Sequence, residues 1–239
     1  MNKKILIPVI SGVVIVIILM TVLVSTNQKP NEKPINDKPI TEPIPIRTTT
    51  NETAIANNTA ALITPINLSY ADSNSVMKSS LAVKGIPMSS ALKISGGSIA
   101  KYCTFYGDTE KQNSIEYCTS TELKDSDGKF LGNIHMVGSL AYPNAVLGVI
   151  QTDPYMSNLD DIKTIYQVMV ESLVCDCWQD QKPGNLESIS AWVDTVRSHH
   201  LEATGTTSSS KITGLAQKQL LLEVTTDTEG YLWKFIISN

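Results

Sequence analysis

The most regular pattern lies near the end of the chain. Tyr231, Trp233, Phe235 and Ile237 alternate with Leu232, Lys234 and Ile236, the period of two that sends successive side chains to opposite faces of a strand. Gln219–Thr226 precedes this strand across a turn at Asp227–Gly230, and Asn144–Gln151 is a near-continuous apolar run, as expected of a central strand covered on both faces. A different period fills the interval. Leu159, Ile162, Ile165, Tyr166, Met169 and Leu173 recur at three- and four-residue steps, which predicts a helix. Ser157 is placed to cap it, and Asp160 and Asp161 fall in its first turn, where the helix dipole favours negative charge. Pro183-Gly184 closes that region. A second helix is expected from Leu186 to His200, with Asn185 as its cap and Leu186, Ile189, Trp192, Val193 and Val196 on one face.

Upstream the pattern is weaker. Ser98–Tyr106 and Ser114–Leu123 read as paired strands around the polar loop Gly107–Asn113, and the turn Asp125–Gly128 leads into a further strand, Phe130–Val137. Val76–Val83 and Ala91–Ile94 are ambiguous between helix and strand. Strands, two helices and strands again predict an α+β domain over residues 75–239, an antiparallel sheet with two consecutive helices packed on one face.

The N-terminal third follows other rules. Ile5 to Val24 carries no charged side chain, and about 20 residues at 1.5 Å each cross the ~30 Å hydrocarbon core of a bilayer. Lys3 and Lys4 precede the run and no charge follows before Lys29. The positive-inside tendency therefore predicts a single-pass signal anchor at residues 5–24, with residues 1–4 as a cytoplasmic tip and the C-terminal domain outside the cell membrane. The run exceeds the usual length of a cleaved signal and lacks a small-x-small site after it. Residues 25–74 are rich in Pro, Thr and Asn. Pro30, Pro34, Pro39, Pro43 and Pro45 oppose helix and favour an extended, solvated stalk. Three N-x-[ST] sequons mark Asn51, Asn57 and Asn67 as candidate glycosylation sites.

Charge narrows the partners. The chain has 19 Lys+Arg against 23 Asp+Glu, without a dense basic run, so nucleic acid is not an expected partner. Lipid through residues 5–24 and an envelope protein or ligand for the domain are expected instead.

The cysteines carry the candidate chemistry. Cys103 and Cys118, on the two expected hairpin strands, fall nearly opposite each other, within disulfide reach in a compartment that permits one. Cys175 and Cys177 follow the first long helix. If still helical they point about 200° apart and bond poorly. Two arrangements stay open: a 103–118 bridge that leaves the Cys-x-Cys pair awkward, or cross-bridges from the hairpin to the helix end. The sharper alternative is an envelope thiol-redox or metal-handling protein, with copper or zinc held by Cys175 and Cys177 beside His199 or His200. The spacing is not that of a zinc ribbon or thioredoxin-like site, and a histidine pair closing a helix is also what the dipole favours. Ser-x-x-Lys occurs at Ser75/Lys78 and four other places, without the Ser-Asp-Asn and Lys-Thr-Gly elements of acyl-enzyme hydrolases. No serine-hydrolase elbow, phosphate loop or zinc-protease motif is present. The sequence thus favours a non-enzymatic, membrane-anchored binding protein.

Overall fold

Among the described residues seven strands form one antiparallel sheet: β1 (Leu92–Ser95), β2 (Tyr117–Lys124), β3 (Phe130–Gly138), β4 (Pro143–Thr152), β5 (Thr207–Leu215), β6 (Lys218–Asp227) and β7 (Gly230–Ser238). Their spatial order is β1-β2-β3-β4-β7-β6-β5. This computed structural model describes residues 66–203 and 205–239. Two meanders, β1 to β4 and β5 to β7, are joined where β4 pairs with β7. β4 is therefore the middle strand, which accounts for its apolar run.

The helices are α1 (Tyr70–Val83), α2 (Ile99–Tyr102), α3 (Thr109–Asn113), α4 (Leu159–Leu173), α5 (Trp178–Gln181) and α6 (Ile189–Glu202). Residues of α1, α4, α5 and α6 bury their apolar sides with Ile134, Val146, Leu222, Trp233, Phe235 and Ile237 of one sheet face. The α+β class and the helix-covered antiparallel sheet are as the periodicities predict. At Gly148 the sheet and α4 lie so close that a Cβ would stand 2.8 Å from Met169 Sδ. A larger residue there would have to displace the Met169 thioether and crowd the Tyr166 ring, 3.1 Å from that Cβ.

Local signals read from the sequence shift by a few residues. Ser188, not Asn185, caps α6, its Oγ accepting from Ala191 N at 3.0 Å; Asn185 instead takes a positive φ of 60° in the preceding 3₁₀ turn. Ser157 does not cap α4. Its N–H and Oγ–H both donate to Asp153, at 2.9 and 2.7 Å, closing a turn just before the helix.

Three differences are larger. The folded region begins before Ser75: Ile66 is 1% exposed and its N–H donates to Pro143 O at 2.8 Å, while the Tyr70 hydroxyl donates to Ser139 O at 2.8 Å. Ser98–Tyr106 is not a strand. The partner of β2 is the short β1, with Ile94 opposite Cys118, and the expected strand forms α2 and a following loop. The backbone of that loop is satisfied by one side chain: Phe105 N and Tyr106 N both donate to Gln112 Oε1, at 3.0 and 3.2 Å, and Gln112 Nε2 donates to Cys103 O at 2.8 Å. That amide replaces the ladder a strand would have needed. Finally, β5 completes the far edge although nothing in its sequence marked it as a strand.

Among the described residues no helix is long and apolar enough to cross a membrane. The anchor at 5–24, the stalk before residue 66, and Asn51 and Asn57 lie outside the described residues.

Candidate ligand-binding cleft

The second face of the sheet is covered only in part. Residues between β1 and β2 fold back over it as a small cap, and Ile99, Cys103 and Ile115 pack on Ile94, Cys118, Val137, Ala145, Leu147 and Ile236. Helices as short as α2 and α3 do not hold themselves. Gln112 ties the loop, and Cys103 and Cys118, both fully buried, stand at disulfide distance with Cα atoms 6.5 Å apart.

Where the cap stops short, an open cleft of about 470 Å³ lies between β1, α2 and the face of β2 and β3. Leu92 and Tyr102 form its rim and are 64% and 55% exposed. Lys93, Ser98, Ser120 and His135 line it. His135 and Ser120 are direct partners across β2 and β3, so the sheet register sets both side chains on the cleft side. The His135 ring packs against Phe105, with centroids 4.5 Å apart. Its Nδ1 is buried without a hydrogen-bond partner in the protein. Burial pushes its pKa down to about 4, so the imidazole is neutral at pH 7. No carboxylate lines the cleft to orient the ring, and Ser120 makes no hydrogen bond to it, so the parts of a nucleophile–base–acid relay are not assembled here. An apolar rim over hydroxyls and a neutral imidazole is the make-up of a binding site for a small amphiphilic molecule.

The residues singled out by sequence lie elsewhere. All four cysteines are paired, Cys103 with Cys118 and Cys175 with Cys177, so the cross-bridged arrangement is not adopted. The objection to a Cys175–Cys177 bond assumed a helix. α4 ends at Leu173, and the three-residue turn beyond it brings the two Cα atoms to 5.2 Å. The copper or zinc set is not brought together. Cys175 sits by Ser188 and Ile189, at the start of α6. His199 and His200 lie at its other end, about 16 Å along the axis. Among the described residues no group of three or more His, Cys, Asp or Glu side chains is placed to hold a metal ion. His199 is exposed, whereas His200 is buried, with Nδ1 3.1 Å from Ser208 Oγ and Nε2 2.9 Å from Thr226 Oγ1. It fastens α6 to β5 and β6. Asn67 is exposed, and the serine of its sequon, Ser69, is the N-cap of α1, accepting from Asp72 N at 3.2 Å.

Sequence reasoning offered His135 only as one of three histidines that could ligate a metal, and missed Tyr102 and Leu92. The only available signal was an isolated histidine within an otherwise apolar strand. No protein-family model matches the chain, and neither a curated protein nor a solved structure matches it.

Proposed function

We propose that this chain is a single-pass, membrane-anchored binding protein whose extracytoplasmic domain captures a small amphiphilic ligand in the cleft around His135. The observation that carries the reading is the cleft itself: exposed Leu92 and Tyr102 beside serine hydroxyls and a neutral imidazole. Exposed apolar side chains rimming a concave surface are costly unless something covers them. The charge-free run from Ile5 to Val24 supports the anchor, and the paired cysteines fit an oxidising compartment outside the membrane.

The test is a titration of the detergent-solubilised full chain with an aromatic alcohol, a hexose and a medium-chain carboxylate, following the His135 imidazole resonances. At least one probe should shift His135 saturably, and Tyr102→Ala should weaken that probe at least tenfold. If none perturbs His135, the cleft reading fails. The anchor is tested separately: alkaline carbonate should leave the protein in the membrane pellet, and its release would remove the anchor.

A further inference from the structure

Independent of the cleft, the turn after α4 holds two sulfurs in unlike surroundings. Val174 N and Cys175 N both donate to Val170 O, at 2.9 and 3.1 Å, so the chain leaves the helix there and Cys175-Asp176-Cys177 loops round before α5. Both cysteines are half-buried, whereas Cys103 and Cys118 are 0% exposed. A bond across three residues closes so small a ring that it restricts the unfolded chain little. Fold stability is therefore a poor reason for it.

The two sulfurs are not equivalent. Cys175 lines a shallow open groove with Glu171, Asp176, Trp178 and Gln179. Cys177 is outside that lining, and its Sγ accepts a hydrogen bond from Gln181 Nε2 at 3.2 Å. An incoming thiolate has access to Cys175, while the donor on Cys177 stabilises charge on the sulfur that must leave, and exchange is faster with a better leaving thiolate. The groove carries two carboxylates and no basic residue among its lining, so it favours a cationic approach.

We propose that the Cys175–Cys177 bond is a thiol–disulfide exchange site that oxidises the dithiol of a partner protein whose surface around that dithiol is positively charged. The partner's thiolate attacks Cys175 Sγ, the bond to Cys177 breaks, and its electron pair stays on Cys177, which takes a proton from solvent. The partner's second thiol gives up its proton and attacks its own sulfur in the mixed disulfide, expelling Cys175 as a thiolate that is protonated in turn. Two electrons pass to this chain and the partner leaves with a disulfide.

The experiment exposes the oxidised full chain to excess aminoethanethiol, 2-mercaptoethanol or 3-mercaptopropionate, with rates corrected to equal thiolate. Alkylation and peptide mass spectrometry locate the thiols released and the first mixed disulfide. Cys175 and Cys177 should open while Cys103–Cys118 stays intact, and the first adduct should be on Cys175. The cationic thiol should react about threefold faster than the neutral one, and that about threefold faster than the anionic one, the spread closing in high salt. Glu171→Gln with Asp176→Asn should abolish the order, and Gln181→Leu should slow all three. Simultaneous opening of both pairs, a first adduct on Cys177, or rates blind to thiol charge would each overturn the proposal. An easily reduced but purely structural bond would show that last behaviour.

Discussion

The two faces of the sheet are cut from the same strands yet held by different means. On one, Trp192, Trp233, Tyr166 and Phe235 are all almost fully buried, and α1, α4 and α6 are long enough to bring continuous apolar sides to them. On the other, nine buried residues and a cap of short helices depend on a pair of buried cysteines and a single glutamine amide. The first face is held by apolar area. The second is held at points. A covering fixed at points can stop short of the edge, and the cleft around His135 is where it stops.

The strongest test of that contrast is Trp192→Ala. It removes a side chain that packs on Phe235 and donates through Nε1 to Ser210 Oγ at 2.8 Å. A loss of about 3–5 kcal/mol is expected in denaturant unfolding, with both faces failing together because the helix face carries the sheet. Replacing Cys103 and Cys118 by alanine together should cost about 3 kcal/mol, the chain-entropy value for a loop of this size. Here the effect should be local. Hydrogen exchange should rise across residues 96–115 while α4, α6 and β7 keep their protection. Equal loss of protection on both faces would show that the cap is integral to the core after all.

What the sequence made legible follows the same division. Strands β4, β6 and β7 and helices α4 and α6 were readable because apolar area holds them, and apolar area writes a period. The cap was misread because Gln112 supplies hydrogen bonds across six to nine residues, a device without any period. β5 was missed for a related reason. Its inward positions include Ser208 and Ser210, which look exposed in sequence but bond to His200 and Trp192. α1 was split because the buried positions Tyr70, Ser73 and Met77 begin inside a polar stretch that reads as stalk. The cleft was the least legible part, since Leu92, Tyr102 and His135 lie far apart in the chain and meet only through the folding of the cap.

Acid should separate the faces further. His135 is held down to about 4 by burial, and His200 is also lowered, by burial first and then by the charge of His199. A histidine whose folded pKa lies below its unfolded value of about 6.5 binds fewer protons when folded. Its stability contribution is complete above that pH and is lost as pH falls through the window down to the folded value. Unfolding free energy should therefore be flat near pH 7 to 8 and decline from about pH 6.5 towards 4. The larger shift is on the capped face, so His135→Phe should remove more of the decline than His200→Gln. Chemical denaturation at half-unit pH steps decides between them, and a slope that survives both substitutions would place acid sensitivity elsewhere.

At neutral pH the same His135→Phe substitution gives the smallest stability effect and the most pointed one. The buried Nδ1 has no partner in the protein, so replacing the ring by an apolar one of similar shape removes an unsatisfied group while keeping the contact with Phe105. Such a change is expected to be neutral or to stabilise by up to about 1 kcal/mol. On the helix face, His200 has a hydroxyl on each nitrogen, and His200→Phe should instead cost stability, leaving Ser208 and Thr226 facing an apolar ring. Opposite signs for two histidine-to-phenylalanine changes in one domain would mark His135 as a residue kept at some expense to the fold. A clear destabilisation by His135→Phe would show that its imidazole is satisfied within the protein.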